Sequence, residues 1–495
     1  MRRLIEHFRL PESLAQFTCE ENAPLRQGFF KFGDDAICFG QCSSGRVAAS
    51  VADSLPDARA GVRLDGGRCH LPFNPDQIVD NLLLERYPVR AAEPHLLALL
   101  RSMYYTVRPL LPVSVRSHLQ RFYLSGWEKI PFPSWPVDCT VERFLERCLA
   151  LTMKAQNLSA MPFIWFWPRG YDSCAMVTHD VEAHAGRDFC STLMDLDDSC
   201  GVKSAFQVIP EQRYAISEAF LAEIRDRGFE INVHDLNHDG KLFLNERQFM
   251  KRVVHINRYG KQFGSAGFRA GVMYRNQRWA HALNFEYDMS VPNAAHLEPQ
   301  RGGCCTVFPY FIDKLLELPL TTTQDYALFH FLGEYSQKLW HWQIDMIRQR
   351  HGLITVLAHP DYITGQRETE VYLELLRYLD LLRAEKRLWI AKPREVNDWW
   401  RLRSQLRLVR DGSGWRIEGA GCERAQLAYA QLDGDLITYR AEGAGLPPVE
   451  RMADHAAVVV AAGGGEVCAP HRSPSVPASA RRGAEGTSQL DGKSD

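Results

Sequence analysis

The middle of this 495-residue chain predicts an α/β fold, a distorted or incomplete parallel (β/α) barrel of about seven strands. Three observations carry that expectation. From Cys174 onward short apolar runs recur: "CAMVTHD", "SAFQVIP", "FEINVH", "AGFRAG", "YDMSVPN", "LLELPLT" and "LITVLAHP". Helical patterns separate several of them, among them "SEAFLAEIRDRG", "ERQFMKRVVHINRYGKQFG", "QKLWHWQIDMIRQRHG" and "VYLELLRYLDLLRAEK". Finally, several runs close on an ionisable residue. Strand, helix, strand over this length means parallel βα units, whose active sites lie at the C-terminal ends of the strands.

The elements before and after the barrel read differently. Residues 1–130 predict an N-terminal α+β region, strand-like at "AICFGQC" and "RVAASVA", helical at "NPDQIVDNLLLERY" and "PHLLALLRSMYYTV". Asn74-Pro75-Asp76 supplies a helix start. The proline-rich "KIPFPSWPVD" marks a boundary at which this region and the barrel (131–400) should separate. Residues 401–460 read as a small β module built around Asp-Gly turns, and 461–495, rich in Ala, Gly, Ser and Pro, as a disordered tail.

Composition narrows the function classes. Net charge is −2 with a sequence pI near 6.8, which argues against nucleic acid as a partner. No run reaches ~18 apolar residues, so no membrane span is expected. The start "MRRLIEHFRLPESLAQF" lacks an apolar core, and thirteen scattered cysteines fit reduced thiols, so a cytoplasmic location is expected.

Residues 235–246, "DLNHDGKLFLNE", match the calcium-loop pattern at its fixed positions. A strand-like "FEINVH" precedes them where such a loop needs a helix, and position 9 is Phe243, so calcium is a poor reading. His234 and His238, four apart in "HDLNH", have a spacing used by transition-metal sites. Asp180, Arg269, Asp288 and His359 also fall at or near strand ends. Buried ionisable groups are costly unless paired or metal-bound, and this many at one level marks a site.

In order and interval, "THDVE", "HDLNH", "FRAGVMYRN" and "LAHP" resemble the motifs of the polysaccharide deacetylases (carbohydrate esterase family 4, the NodB homology domain) over residues 170–400. The family's second aspartate falls on Val181, which cannot bind a metal; a D-x-E variant puts Glu182 in that role. The family's proline in the third motif is Gly271, and Tyr274 falls one residue late. The resemblance implies a divalent metal on Glu182, His234 and His238, most suitably Zn²⁺, with Co²⁺ or Ni²⁺ as substitutes. It implies Asp180 as base, His359 as acid, Arg269 holding Asp180 and Asp288 supporting His359. The implied reaction removes an N-acetyl group from an amino sugar of a polysaccharide, oligosaccharide or sugar precursor. Tyr274, Tyr287, Trp340 and Trp342 are candidates for stacking on sugar rings or for core packing. The alternatives are a cyclic amide or imide hydrolase on the same fold and an inactive carbohydrate-binding relative. Oligomeric state is not legible.

Overall fold

The computed structural model describes residues 1–19, 26–43, 46–51, 54–88, 124–412 and 414–441. A compact unit spans Met1–Ala453; Asp454–Asp495 form a second, which lies outside the described residues, as do the expected tail and the segment "PHLLALLRSMYYTV".

Nine strands make the main sheet: β1 (Ser173–Val181), β2 (Ala205–Val208), β3 (Glu230–His234), β4 (Gly267–Arg269), β5 (Tyr287–Asp288), β6 (Tyr310–Ile312), β7 (Leu315–Glu317), β8 (Leu353–Ala358) and β9 (Leu388–Ile390). The order is β6-β7-β5-β4-β3-β2-β1-β8, with β9 against the first residues of β1. From β7 to β8 every pairing is parallel; β6 is the antiparallel edge. β1 is buried along its whole length, which is why it reads as a nearly continuous apolar run rather than an alternation. Short β6 gives too little periodicity to be read in advance.

The N-terminal region contributes helices α1 (Arg2–Phe8) and α2 (Pro75–Leu83), and α3 (Thr140–Ala155) precedes the barrel. The crossovers are α4 (His184–Ser199), α5 (Glu218–Asp226), α6 (Glu246–Phe263), α7 (Lys338–Arg348) and α8 (Gln366–Ala384), followed by α9 (Pro393–Gln405). Local chemistry sets their ends. Asn245 caps α6 by accepting the Gln248 N–H at 2.9 Å, and Gly264 ends it in the left-handed region. Ser217 caps α5 through the Phe220 N–H.

The two ends of the sheet meet without a backbone ladder. Beyond β7, the Thr321 and Thr322 hydroxyls donate to the Leu353 and Thr355 carbonyls of β8, each at 2.8 Å. Thr355 N–H donates to the Thr321 hydroxyl at 2.9 Å, and the Thr355 hydroxyl to Pro319 O at 2.7 Å. Threonine side chains close the barrel where strand pairing stops.

The flanking regions are knitted to the barrel. Leu427–Asp433, in the C-terminal segment, pairs with both Leu436–Ala441 and Ala160–Ile164, so one ladder crosses the boundary expected at 400. The proline-rich segment is packed rather than exposed: Phe132, Val137 and Asp138 are buried, and Asp138 N–H donates to Asn293 Oδ1 at 2.7 Å. Arg275 and Glu85 form an ion pair between barrel and N-terminal region. Among the described residues no helix is long and apolar enough to cross a membrane.

Candidate active site

Strand alternation decides what the end of β1 presents. Side chains two apart share a face, so Thr178, Asp180 and Glu182 point into the barrel mouth while His179 and Val181 point away. Val181 is buried in the core. His179 braces α4 and β8 instead: its ring lies 3.0 Å from Asp197 Oδ2 and 3.0 Å from Ala358 O. The carboxylate that reaches the site is therefore Glu182, one residue past the strand.

At the end of β3 the chain turns through left-handed Asp235 (φ 54°) and His238 (φ 52°), which brings both histidine rings to one point. Their ring centroids are 4.9 Å apart. The calcium-loop match dissolves here. A strand enters the loop, the Asp239 carboxylate is taken by both Arg252 nitrogens at 2.7 Å, and Asp235 Oδ1 accepts the Leu236 N–H at 2.6 Å.

Gly271 stands where it does because this turn is tight. A Cβ there would lie 2.6 Å from Asp235 Oδ2 and 2.7 Å from His238 Cδ2. Gly271→Ala is expected to push the histidine loop aside and cost about 1–3 kcal/mol, read as a lower midpoint in urea with unchanged slope.

Glu182, His234 and His238 offer ligand atoms that all lie within 4.8 Å of one another. His238 Nε2 is 2.9 Å and His234 Nε2 3.9 Å from Glu182 Oε1. Both Nε2 atoms are buried and face the Glu182 carboxylate. The Nδ1 of His234 faces Arg269 O at 3.2 Å, so that nitrogen carries a proton and Nε2 is the atom turned toward Glu182, while Asp180 and Glu182 outweigh burial and raise the ring's pKa. Two imidazole nitrogens and a carboxylate are the donor set of a zinc-type site with open positions. One contact opposes this: Arg213 donates to His238 Nδ1 at 3.1 Å, which favours the tautomer with its proton on Nε2. The same guanidinium nitrogen also bonds the His238 carbonyl at 2.7 Å, a partner it keeps if it releases the ring.

Beside this trio Arg269 NH1 donates to Asp180 Oδ1 at 2.8 Å and to Thr178 at 3.0 Å. Burial pushes the Asp180 carboxyl up, but Arg269, His234 and His359 outweigh it and hold it below its ordinary value. Burial likewise pushes Glu182 up, and the His238, His234 and His359 rings bring it well below the carboxylate range. Asp180 Oδ2 is 3.5 Å from His234 Nε2.

His359, just past β8, points its Nε2 to within 3.6 Å of Glu182. Its partner is Asp325, which the motif reading missed. Asp325 Oδ1 receives the ring Nδ1 and Oδ2 the backbone N–H, both at 2.6 Å. Burial pulls the ring's pKa down, and Asp325, with Glu182 and Asp180, overrides it and carries it up to about 10.

Asp288, expected to support His359, does something else. It accepts from the Met289 N–H at 2.8 Å and from the Ser290 hydroxyl, and stands in register with Glu317 of β7. Burial pushes both of these carboxyls up. Asp288 thus shapes the strand ends around Arg269, whose Nε donates to Met289 O at 3.0 Å.

The four aromatic candidates divide. Tyr287 is buried against Asn232 at 2.9 Å, and Trp340 is buried with its indole N–H on Thr323 O at 2.6 Å, so both are core. Tyr274 is buried; Trp342 is exposed and meets Trp135 edge-on at 6.1 Å. The ring beside His359 is Tyr362, centroids 5.1 Å apart.

No family model matches the chain, and no curated protein matches it. Solved structures align with about half of it. A putative polysaccharide deacetylase from Mycobacterium smegmatis is 17% identical over 50% of this chain and 97% of its own, with a TM-score of 0.39. Puue allantoinase is 12% identical over 47% and 92%, with a TM-score of 0.37. A probable polysaccharide deacetylase from Pseudomonas aeruginosa PAO1 is 14% identical over 46% and 91%, with a TM-score of 0.35.

Proposed function

We propose that the chain is a metal-dependent hydrolase that removes the N-acetyl group from an amino sugar of a polysaccharide, oligosaccharide or sugar precursor. The observation that carries this is the two buried imidazole nitrogens gathered with Glu182 between an arginine-held aspartate and an aspartate-held histidine. The substrate class comes from the motif resemblance.

Glu182, His234 and His238 would hold the divalent metal, zinc in the first instance. When bound, it supplies Lewis acidity toward the amide carbonyl and makes water acidic enough to attack at neutral pH. The protein's own groups do the rest. Asp180, kept ionised by Arg269, takes the proton of the attacking water. His359, kept protonated by Asp325, gives its Nε2 proton to the departing amine nitrogen. Burial of the pair excludes bulk water, which strengthens both electrostatic contacts.

The test combines metal analysis with acetate release from N-acetylglucosamine oligomers. Near-stoichiometric zinc or cobalt in loaded protein and its loss in His234→Ala are expected. Metal retained by the double His234→Ala/His238→Ala variant sinks the site, and ring opening of a cyclic ureide without acetate release sinks the substrate class.

The Arg213 contact gives a second, independent check. Its guanidinium brings positive charge to the ligand His238 and opposes a proton on Nδ1. Arg213→Gln, whose amide oxygen can accept that proton, is expected to bind zinc several-fold more tightly in a competition titration against a chelator.

A further inference from the structure

Beside edge strand β6 lies a cavity of about 1020 Å³, lined by none of the catalytic or metal-holding residues proposed above. Its walls come from α1 and the residue after it, α2 and the residues following it, the 275–278 segment, β6 and α9. Much of the charge on those walls is paired: Arg2 and Arg3 with Glu6 and Asp80, and Arg275 with Glu85.

Arg403 and Arg9 are different. Arg403, in α9, is 1% exposed and donates only to carbonyls, those of Trp165 at 2.9 Å, His7 at 2.9 Å and Ile164 at 2.6 Å. Arg9 donates to Leu406 O at 2.9 Å, and its buried Nε has no hydrogen-bond partner. Neither has a carboxylate in salt-bridge contact among the described residues, and burial together with the charge of Arg9 drives Arg403 well below the usual arginine range. His7, also on the cavity wall, adds no charge, because burial and Arg403 push its ring down to about 3.

These contacts have a structural use. α1 and α9 exchange arginines: Arg403 reaches a carbonyl near the end of α1, and Arg9 reaches the one just past the end of α9, where helix dipoles favour cations. That docks the helices; Glu6 and Glu12 act on Arg9 from beyond ion-pair distance, while buried Arg403 has the like charge of Arg9 beside it and no carboxylate in contact, an arrangement that burial makes costly. A guanidinium matches phosphate: Arg9 presents an unpartnered Nε, and Arg403, whose Nε and Nη2 are held by carbonyls, contributes its charge. The volume far exceeds an inorganic oxyanion, and Phe308, Tyr310, Phe311 and Trp400 line it with aromatic surface for an organic portion.

We infer that this cavity is a second ligand site, taking a phosphorylated organic molecule of nucleotide size with its phosphate between Arg9 and Arg403. The inference is independent of the reaction at the barrel mouth. Isothermal titration of the full chain with a nucleoside diphosphate tests it, with inorganic pyrophosphate, the uncharged nucleoside and sodium chloride of matched ionic strength as controls. The diphosphate should bind and raise the melting temperature, pyrophosphate should bind more weakly, and nucleoside and chloride should do neither. Arg403 is fully buried and its loss risks the fold, so half-buried Arg9 is the residue to change. Arg9→Gln should weaken binding by about ten-fold or more, and Glu182→Gln should leave it intact. Absence of binding, an equal response to chloride, or pyrophosphate binding as tightly as the diphosphate overturns the inference. So does binding lost in Glu182→Gln and kept in Arg9→Gln, which puts the ligand at the catalytic site.

Discussion

Replacing Asp180 with Asn is expected to lower kcat by about 10²–10⁴-fold, the range for loss of a general base, while the metal stays bound. The amide fills the same space beside Arg269 but cannot take a proton. Wild-type Asp180 is ionised below its ordinary pKa because Arg269, His234 and His359 overcome its burial. The limb of the rate profile that it governs therefore lies below the usual carboxylate pKa of about 3.9, and the rate rises as pH climbs through it. Stopped-time acetate release and metal content, measured on one preparation, check both halves. Near-wild-type turnover removes Asp180 from the base role. Loss of metal makes it a ligand, with Glu182 then in question.

His359→Ala is expected to cost about 10²–10⁴ in kcat and to abolish the basic limb. An acid must be protonated, so the rate falls as pH rises through the histidine's pKa. Asp325, supported by Glu182 and Asp180, holds that pKa far above the histidine norm, at about 10 in the metal-free protein. A bound cation opposes it and lowers it. Asp325→Asn removes the largest of the raising influences, so the basic limb of the loaded enzyme should move to lower pH, with kcat reduced and KM little changed. A limb that stays in place separates Asp325 from the acid.

The barrel was readable because its strands are buried on both faces and its crossovers are long and periodic. The motif resemblance singled out Glu182 with His234 and His238, and strand alternation gives the physical reason for the carboxylate: it puts Asp180 and Glu182 on one face and turns Val181 away. Asp325 was not readable. It sits in "TTTQDY", a segment without periodicity, and meets His359 only because the barrel closes there. Asp288 occupied the expected motif position, yet β5 is two residues long and its carboxylate folds back on Met289 and Ser290. The pairing of 427–433 with 160–164 was hidden because its partners are far apart in the chain.

The threonine seam gives the molecule a zip with a latch at one end. Backbone ladders part cooperatively, whereas the seam's rungs are side-chain bonds on Thr321, Thr322 and Thr355 that can break one at a time. The same two segments run on into Asp325 and His359, so the last rung is the bond that orients and charges the histidine. Parting of the seam would then free His359 from Asp325. In the proposed reaction, such a fluctuation would leave the barrel folded and the acid unpaired, so its frequency would set the competent share of the population at a given temperature.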